Sequence, residues 1–244
     1  MTAAMFLVNP GEITSATKTF TLDGDEGRHA ATVKRMRAGE VIHLSDGKGI
    51  RAVATVAEVH KNKIDLVINE VTFETAPEPC FVVVQALAKG ERAELAVEML
   101  TEVGADAIIP WQAEHSIGKW DSIEKGLDKW RRTARESSKQ SRRSWIPEIS
   151  QLQTTEQVCQ LASTAESVFV LHESADQALA ACAIREQGTI MLIVGPEGGI
   201  SPDELAQFTQ AGARVVHMGA SVMRTSTAGA IAVGGLLMRS QRWS

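Results

Sequence analysis

Two glycine-bearing segments near the C-terminus combine residue types that could do chemistry. Gly195-Pro196-Glu197-Gly198-Gly199-Ile200 follows the apolar run Ile190–Val194 and precedes Ser201-Pro202-Asp203-Glu204. Ser201 and Glu204 have the spacing of a capping box, and Pro202 falls at the first helical position, so a helix begins there. A cap does not need three glycines. Glycine at a strand's carboxyl end lets backbone approach a ligand closely, and parallel sheets bind ligands at that end. The order is not the Gly-x-Gly-x-x-Gly of a dinucleotide site, and a tight strand-to-helix turn would account for it without a ligand. The second segment, His217–Ala228, leads into Gly229–Met238, which is rich in Ala, Gly, Val and Leu. Such a stretch predicts a closely packed helix, buried in a core or against a second subunit. Arg224 is a lone cation at its entrance, suited either to a pocket rim or to solvent.

The third chemical feature is charge segregation. The chain carries a net charge of -5, yet residues 119–143 hold nine basic and four acidic side chains. Residues 144–223 hold two basic and nine acidic ones. A smaller island, Arg28, Lys34, Arg35 and Arg37, contains no acid. A polyanion responds to such patches and not to the sum; a solvated helix face is the plain alternative. His172 and His217 fall at predicted strand ends and are read as structural.

The elements that must position these residues change rhythm along the chain. Met5–Val8, Lys18–Leu22, Val41–Ser45, Ile50–Val59 and Lys63–Phe73 read as strands, with Asp46-Gly47-Lys48-Gly49 as a hairpin turn. One helix fits at about residues 25–35. Close spacing of short strands predicts a small barrel. Thr75-Ala76-Pro77-Glu78-Pro79 marks a boundary, because two prolines stop regular structure. Beyond it, strands Phe81–Gln85, Ala107–Trp111, Val168–Leu171, Ile190–Val194 and Arg214–His217 alternate with helices Arg92–Val103 and Ser122–Ser144. That alternation predicts an α/β domain with a mostly parallel sheet covered on both faces. The domains expected are 1–75 and 76–244.

Composition excludes several classes. At 44% apolar and 23% charged residues, the chain is an ordinary globular one. No apolar run approaches the ~18–20 residues of a membrane span. Met1–Phe6 lacks the basic-then-apolar pattern of an export signal. Cys80, Cys159 and Cys182 are odd in number and widely spaced, with no Cys-x-x-Cys, so neither disulfides nor a metal site is expected. The expectation is a cytoplasmic protein without a membrane or metal partner.

The pair VGPEGGIS (Val194–Ser201) and MGASVMRTSTA (Met218–Ala228) resembles the SPOUT superfamily of S-adenosylmethionine-dependent RNA methyltransferases. The resemblance is strongest to the RsmE-type branch, which methylates N3 of a uridine in 16S ribosomal RNA (the uridine-1498 type). RHAATVKRMRAGE (Arg28–Glu40) with SDGKG (Ser45–Gly49) is similar to that family's N-terminal PUA-like β-barrel. Lys89–Ser116 resembles the opening of its methyltransferase domain, and KQSRRSWIPEI (Lys139–Ile149) resembles its basic segment. Together these cover most of the chain.

The resemblance implies a C-terminal SPOUT domain with a deep trefoil knot, and a homodimer with the cofactor near the subunit interface. It implies an S-adenosyl-L-methionine pocket built from Leu171, Val194, Gly195, Glu197, Gly199, Met218, Gly219, Val222, Met223, Arg224, Thr227 and Ala228. The partner it implies is 16S ribosomal RNA within the small ribosomal subunit. The RNA would be gripped by Arg28, Lys34, Arg35 and Arg37 of the barrel. Arg131, Arg132, Arg135, Lys139, Gln140, Arg142 and Arg143 would form a second grip, with Arg131, Arg135 and Lys139 along one helix face. Three positions depart from the family pattern. Ser226 and Lys139 stand where the family often has Glu, and His115 where it often has Arg. Neither glutamate is therefore available as a base, and Arg224 is the expected catalytic donor. The alternatives are a SPOUT enzyme acting on another rRNA or tRNA nucleotide, and a non-catalytic RNA-binding assembly factor.

Overall fold

The computed structural model describes residues 3–243. They divide into two compact units: residues up to Ala76 together with Ser138–Ile146, and Pro77–Ser137 with the chain from Pro147 onward.

In the first unit, β1 (Met5–Leu7), β2 (Thr19–Leu22), a short helix α1 (Gly24–Arg28), β3 (Val41–Ser45), β4 (Ile50–Val59) and β5 (Ile64–Phe73) follow in order. The strands pair as β1-β3-β4-β5-β2, antiparallel except for β1 with β3. Alternation does the sorting: Ala52, Ala54 and Val56 of β4 and Ile64, Leu66 and Ile68 of β5 face one core with Phe6, Ile42 and Leu44. Asp46 Oδ1 closes the β3–β4 turn by accepting from Lys48 N (2.8 Å) and Ile50 N (3.0 Å). The helix expected over residues 25–35 is shorter and mixed. It passes from α1 into a single π turn, His29–Val33, and Arg35 in the left-handed region (φ 53°) stops it.

The second unit holds β6 (Cys80–Ala86), α2 (Arg92–Val103), β7 (Ala107–Trp111), and the start of α3 (Ile123–Ser141). It continues with β8 (Glu148–Ile149), α4 (Thr155–Ala162), β9 (Ser167–Leu171), β10 (Thr189–Val194), α5 (Pro202–Gln210), β11 (Arg214–Val216) and α6 (Thr225–Leu237). The six strands order as β11-β9-β10-β6-β7-β8, and every pair is parallel. Val84, Val170, Met191 and Ile193 meet Phe208 of α5 and Val158 of α4 on one face. On the other, α6 packs on α2 and on strands β6 and β10. A Cβ on Gly229 would sit 3.2 Å from both Leu100 and Val194 side chains, so the small residue sets how closely α6 approaches. Burial of both faces explains the near-continuous apolar strands. No helix among the described residues is long and apolar enough to cross a membrane.

Two helix boundaries need correction. Helix α3 stops at Ser141 and not at Ser144. Arg142 adopts φ 57°, and Arg143 N donates to Ser138 O (2.9 Å) while Arg142 N donates to Lys139 O (3.3 Å), a Schellman closure. Helix α6 begins four residues earlier than expected, so Ser226, Thr227 and Ala228 are helical. One side of α6 stays open in the single chain: Ile231 is 49% and Met238, directly after the helix, 76% exposed.

Candidate active site

Three neighbouring strands, β10, β9 and β11, end together at their carboxyl ends with Val194, Leu171 and Val216 in register. The loops leaving them enclose a cavity of about 450 Å³. Its apolar wall is Leu171, Val194, Ile200, Val216, Val222 and Met223, and Gly195, Gly198, Gly199 and Gly219 bring bare backbone to it. Glu173, Glu197, His172, His217 and Arg224 add the ionisable groups.

Each loop is held by local chemistry. The capping box at Ser201 forms as the spacing predicts, and Glu204 is 4% exposed. Its carboxylate accepts from Ser201 N (3.1 Å), Glu114 N (2.9 Å) and Thr155 Oγ1 (2.9 Å). One buried side chain thus ties the exit of the glycine loop to the segment after β7 and to the start of α4. Gly199 has φ 78° with open space where a Cβ would lie, a conformation that favours glycine. Gly198 is constrained differently: a Cβ there would lie 2.8 Å from His115 Cβ and 2.9 Å from His115 O.

The two histidines hold backbone. His217 Nδ1 accepts from Gly219 N (3.1 Å), and His172 Nδ1 accepts from Ser174 N (3.2 Å) and contacts Ser174 Oγ (2.9 Å). Each ring directly follows its strand and fastens the amide two residues after itself. The third loop is anchored at Thr225, whose hydroxyl donates to Gly195 O (2.6 Å) and whose carbonyl accepts from Gln85 Nε2 (3.4 Å). Arg224 is the N-cap residue of α6, is exposed, and lines the cavity.

Of the residues expected in the cofactor pocket, Leu171, Val194, Gly195, Glu197, Gly199, Met218, Gly219, Val222, Met223, Arg224 and Ala228 line this one cavity. Thr227 does not. It lies in the first turn of α6, and its hydroxyl donates to Arg224 O (3.1 Å), because the helix begins before it. Gln85 carries no motif and was missed as a contributor to the site's shape, and the capping box gave no sign that Glu204 also holds Glu114 N and Thr155 Oγ1.

Residues 76–237 match the model of an RNA methyltransferase domain, and residues 22–69 match that of an RNA methyltransferase PUA domain. The chain belongs to this RNA methyltransferase family. "Ribosomal RNA small subunit methyltransferase E" of Mycobacterium bovis is 41% identical, over 100% of this chain and 94% of that one. Its namesake from Bacillus subtilis is 26% identical over 91% of each. Among solved structures, a Legionella pneumophila methyltransferase in complex with its cofactor SAM aligns with a TM-score of 0.88 at 26% identity, covering 98% of this chain and 99% of that one.

The cations of the methyltransferase are not all placed as the sequence suggested. Arg28, Lys34, Arg35 and Arg37 are exposed in the first unit, Arg28 beside Asp25 at 3.1 Å. On α3 the stripe Arg131, Arg135, Lys139 is only half exposed, and the open stripe is Arg132, Glu136, Gln140. Arg131 pairs with Asp128 at 3.4 Å. Lys139 is a correction to the grip: its ammonium pairs with Glu26 at 2.9 Å, and the two side chains are 13% and 14% exposed. Arg142 is exposed and Arg143 half-buried.

Proposed function

We propose that this chain transfers a methyl group from S-adenosyl-L-methionine to N3 of a uridine in 16S ribosomal RNA, acting in the cytoplasm on the small ribosomal subunit. The observation that carries this reading is the cavity at the ends of β9, β10 and β11, on a chain so similar to a small-subunit rRNA methyltransferase. The cavity suits the cofactor. Its volume of about 450 Å³ lies in the range of small-molecule sites. Leu171, Val194, Val222 and Met223 offer apolar surface for an adenine. Open space at Gly199 and Gly219 lets backbone meet a ligand directly. Glu173 and Glu197 offer negative charge to a cationic molecule, and no phosphate cradle is needed. When bound, the cofactor supplies an electrophilic methyl group.

The protein's own part is to deliver a uracil with N3 deprotonated and in line. Taking the base out of its stack costs a few kcal/mol. Alignment of two bound reactants supplies ~7–11 kcal/mol, and one well-aimed donor to a developing oxyanion ~3–4 kcal/mol. Positioning is the larger contribution, so a dedicated strong base is not required. Both histidine Nδ1 atoms already hold backbone amides, which leaves them poor candidates for that role. Arg224 is the donor in this reading. Its guanidinium stabilises negative charge on the uracil oxygens as the N3 proton leaves to water. Arg28, Lys34, Arg35 and Arg37 of the first unit, with Arg132, Gln140 and Arg142, hold RNA phosphates. A homodimer covers the apolar surface left open at Val222, Ile231 and Met238.

Mass-spectrometric mapping of 16S ribosomal RNA from a deletion strain tests the proposal. The expected result is loss of one N3-methyluridine, restored by re-expression. A full complement of that nucleotide, with a methyl group missing elsewhere, would overturn the substrate assignment.

A further inference from the structure

Gln85 stands out in the second unit. It is the penultimate residue of β6, between β10 and β7, and its side chain is 0% exposed. Its neighbours Val83, Val84, Ala86 and Leu87 are all buried and apolar. Nε2 donates to Ala86 O (3.2 Å) and Thr225 O (3.4 Å), while Oε1 has no hydrogen-bond partner among the described residues. A buried carboxamide with an unmet acceptor costs stability, and an apolar side chain of the same shape would avoid that cost. Stability is therefore a poor reason for Gln85 to be there.

What the carboxamide reaches is the entrance of α6. Thr225 is the first helical residue, directly after Arg224. Arg224 as N-cap makes no side-chain capping bond, and its carbonyl is held within the helix by Thr227 and Ala228, so contacts from outside the turn fall to Thr225. Thr225 receives two. Its carbonyl is held by Gln85, and its hydroxyl is bound to Gly195 O at 2.6 Å. A chain of hydrogen bonds thus runs from the end of β6, through Thr225, to the first residue of the glycine loop.

We propose that Gln85 is a positioning residue for methyl transfer, fixing the Arg224–Thr225 turn so that the Arg224 guanidinium meets the uracil. The inference rests on Arg224 being the donor. Gln85 itself lies outside the cavity lining and touches neither reactant.

Single-turnover methyl transfer to small-subunit RNA is the test, on the full chain with S-adenosylmethionine at saturation. Gln85→Met keeps the shape and removes the donor. The transfer rate should fall about tenfold, the effect of one hydrogen bond on alignment, with cofactor Kd changed by less than about threefold. In an Arg224→Ala background the same substitution should cost less than about twofold, because the group it positions is gone. A purely structural role would slow both backgrounds by the same factor, and that result, or an unchanged rate for Gln85→Met alone, overturns the proposal. If Arg224→Ala by itself leaves the rate intact, the donor assignment fails and this inference with it, a failure read from a different variant. If Gln85→Met does not fold by thermal melt, Gln85→Asn replaces it, being polar and too short to reach Thr225 O.

Discussion

Gly198→Ala is the sharpest perturbation the site offers. The added Cβ would lie 2.8 Å from His115 Cβ and 2.9 Å from His115 O. Ordinary contact begins at 3.4 Å, so the closer members must separate by about half an ångström (3.4 less 2.9). One of the two atoms is a backbone carbonyl and cannot rotate away. Nor is its segment loose: Glu114 N is held by Glu204 Oε1 at 2.9 Å and Ser116 N by Ala113 O at 3.1 Å. The glycine loop must therefore give way. Overpacking of this kind costs ~1–3 kcal/mol, and a 1 Å misplacement at a reacting centre can cost about a hundredfold in rate. Half that displacement should weaken S-adenosylmethionine binding and slow transfer by about tenfold each. Gly199→Ala is the contrasting control: it meets no atom within 4 Å but forces φ 78° on an alanine, a strain of ~1–2 kcal/mol that appears as stability. Calorimetric titration with the cofactor, paired with thermal melts, separates the two. A Gly198→Ala protein that binds as tightly as wild type would refute the argument that His115 fixes the loop.

Arg224→Ala should lower kcat by about 10² to 10³ with little change in KM, and raising the pH should recover part of the loss; a KM effect without pH rescue would assign Arg224 to a phosphate. Replacing exposed Arg132 and Arg142 together with Ala should reduce the salt slope of RNA binding by about 1.4 to 1.8, two contacts at 0.7 to 0.9 each, measured by filter binding over a salt series. His43 is held below its ordinary pKa of 6.5 by burial and by the charges of Arg51 and Arg142. The unfolded chain takes up that proton first, so the contribution of His43 is complete above pH 6.5 and is lost as pH falls through the folded value. Urea melts from pH 7.5 to 5.5 should show the decline, and His43→Gln should flatten it. Cys80 is pushed up to about 11, first by burial and then by Asp106, so aromatic-disulfide titration at pH 8 should find it about a hundredfold slower than free cysteine.

Local chemistry made much of this legible in advance. Strands β3, β4 and β7 and helix α2 have the bounds that the sequence predicts, the strands through alternation and the Asp46–Gly49 turn. The α5 capping box was equally plain. Helix α4 was missed although Thr154 and Gln157 form a capping box of the same kind, because eight residues make only about two turns, too short for its Val158-Leu161-Ala162 spacing to stand out. Tertiary facts left no trace. Nothing near Lys139 announces that its ammonium meets Glu26, 113 residues away. Nothing in a strand as apolar as β6 announces that its one amide reaches α6. The cavity lining was legible through family resemblance, since glycine spacing alone also fits an empty turn.

The membership of Ser138–Ile146 in the first unit bears on how the protein is made. Ile146 N donates to Gly47 O (3.1 Å), Gly49 N to Ser144 O (3.0 Å), and Lys139 pairs with Glu26. A ribosome releases the chain in order, so the small sheet waits for parts encoded about 70 residues after its last strand's linker (146 less 76). At ~5–20 residues per second that is several seconds in which β3 and its turn lack their final covering. A fragment cut at Ala76 accordingly leaves behind the partners of Gly47, Gly49 and Glu26. Grafting the 138–146 stretch onto such a fragment would restore those partners, whereas recombination at the proline boundary would separate them.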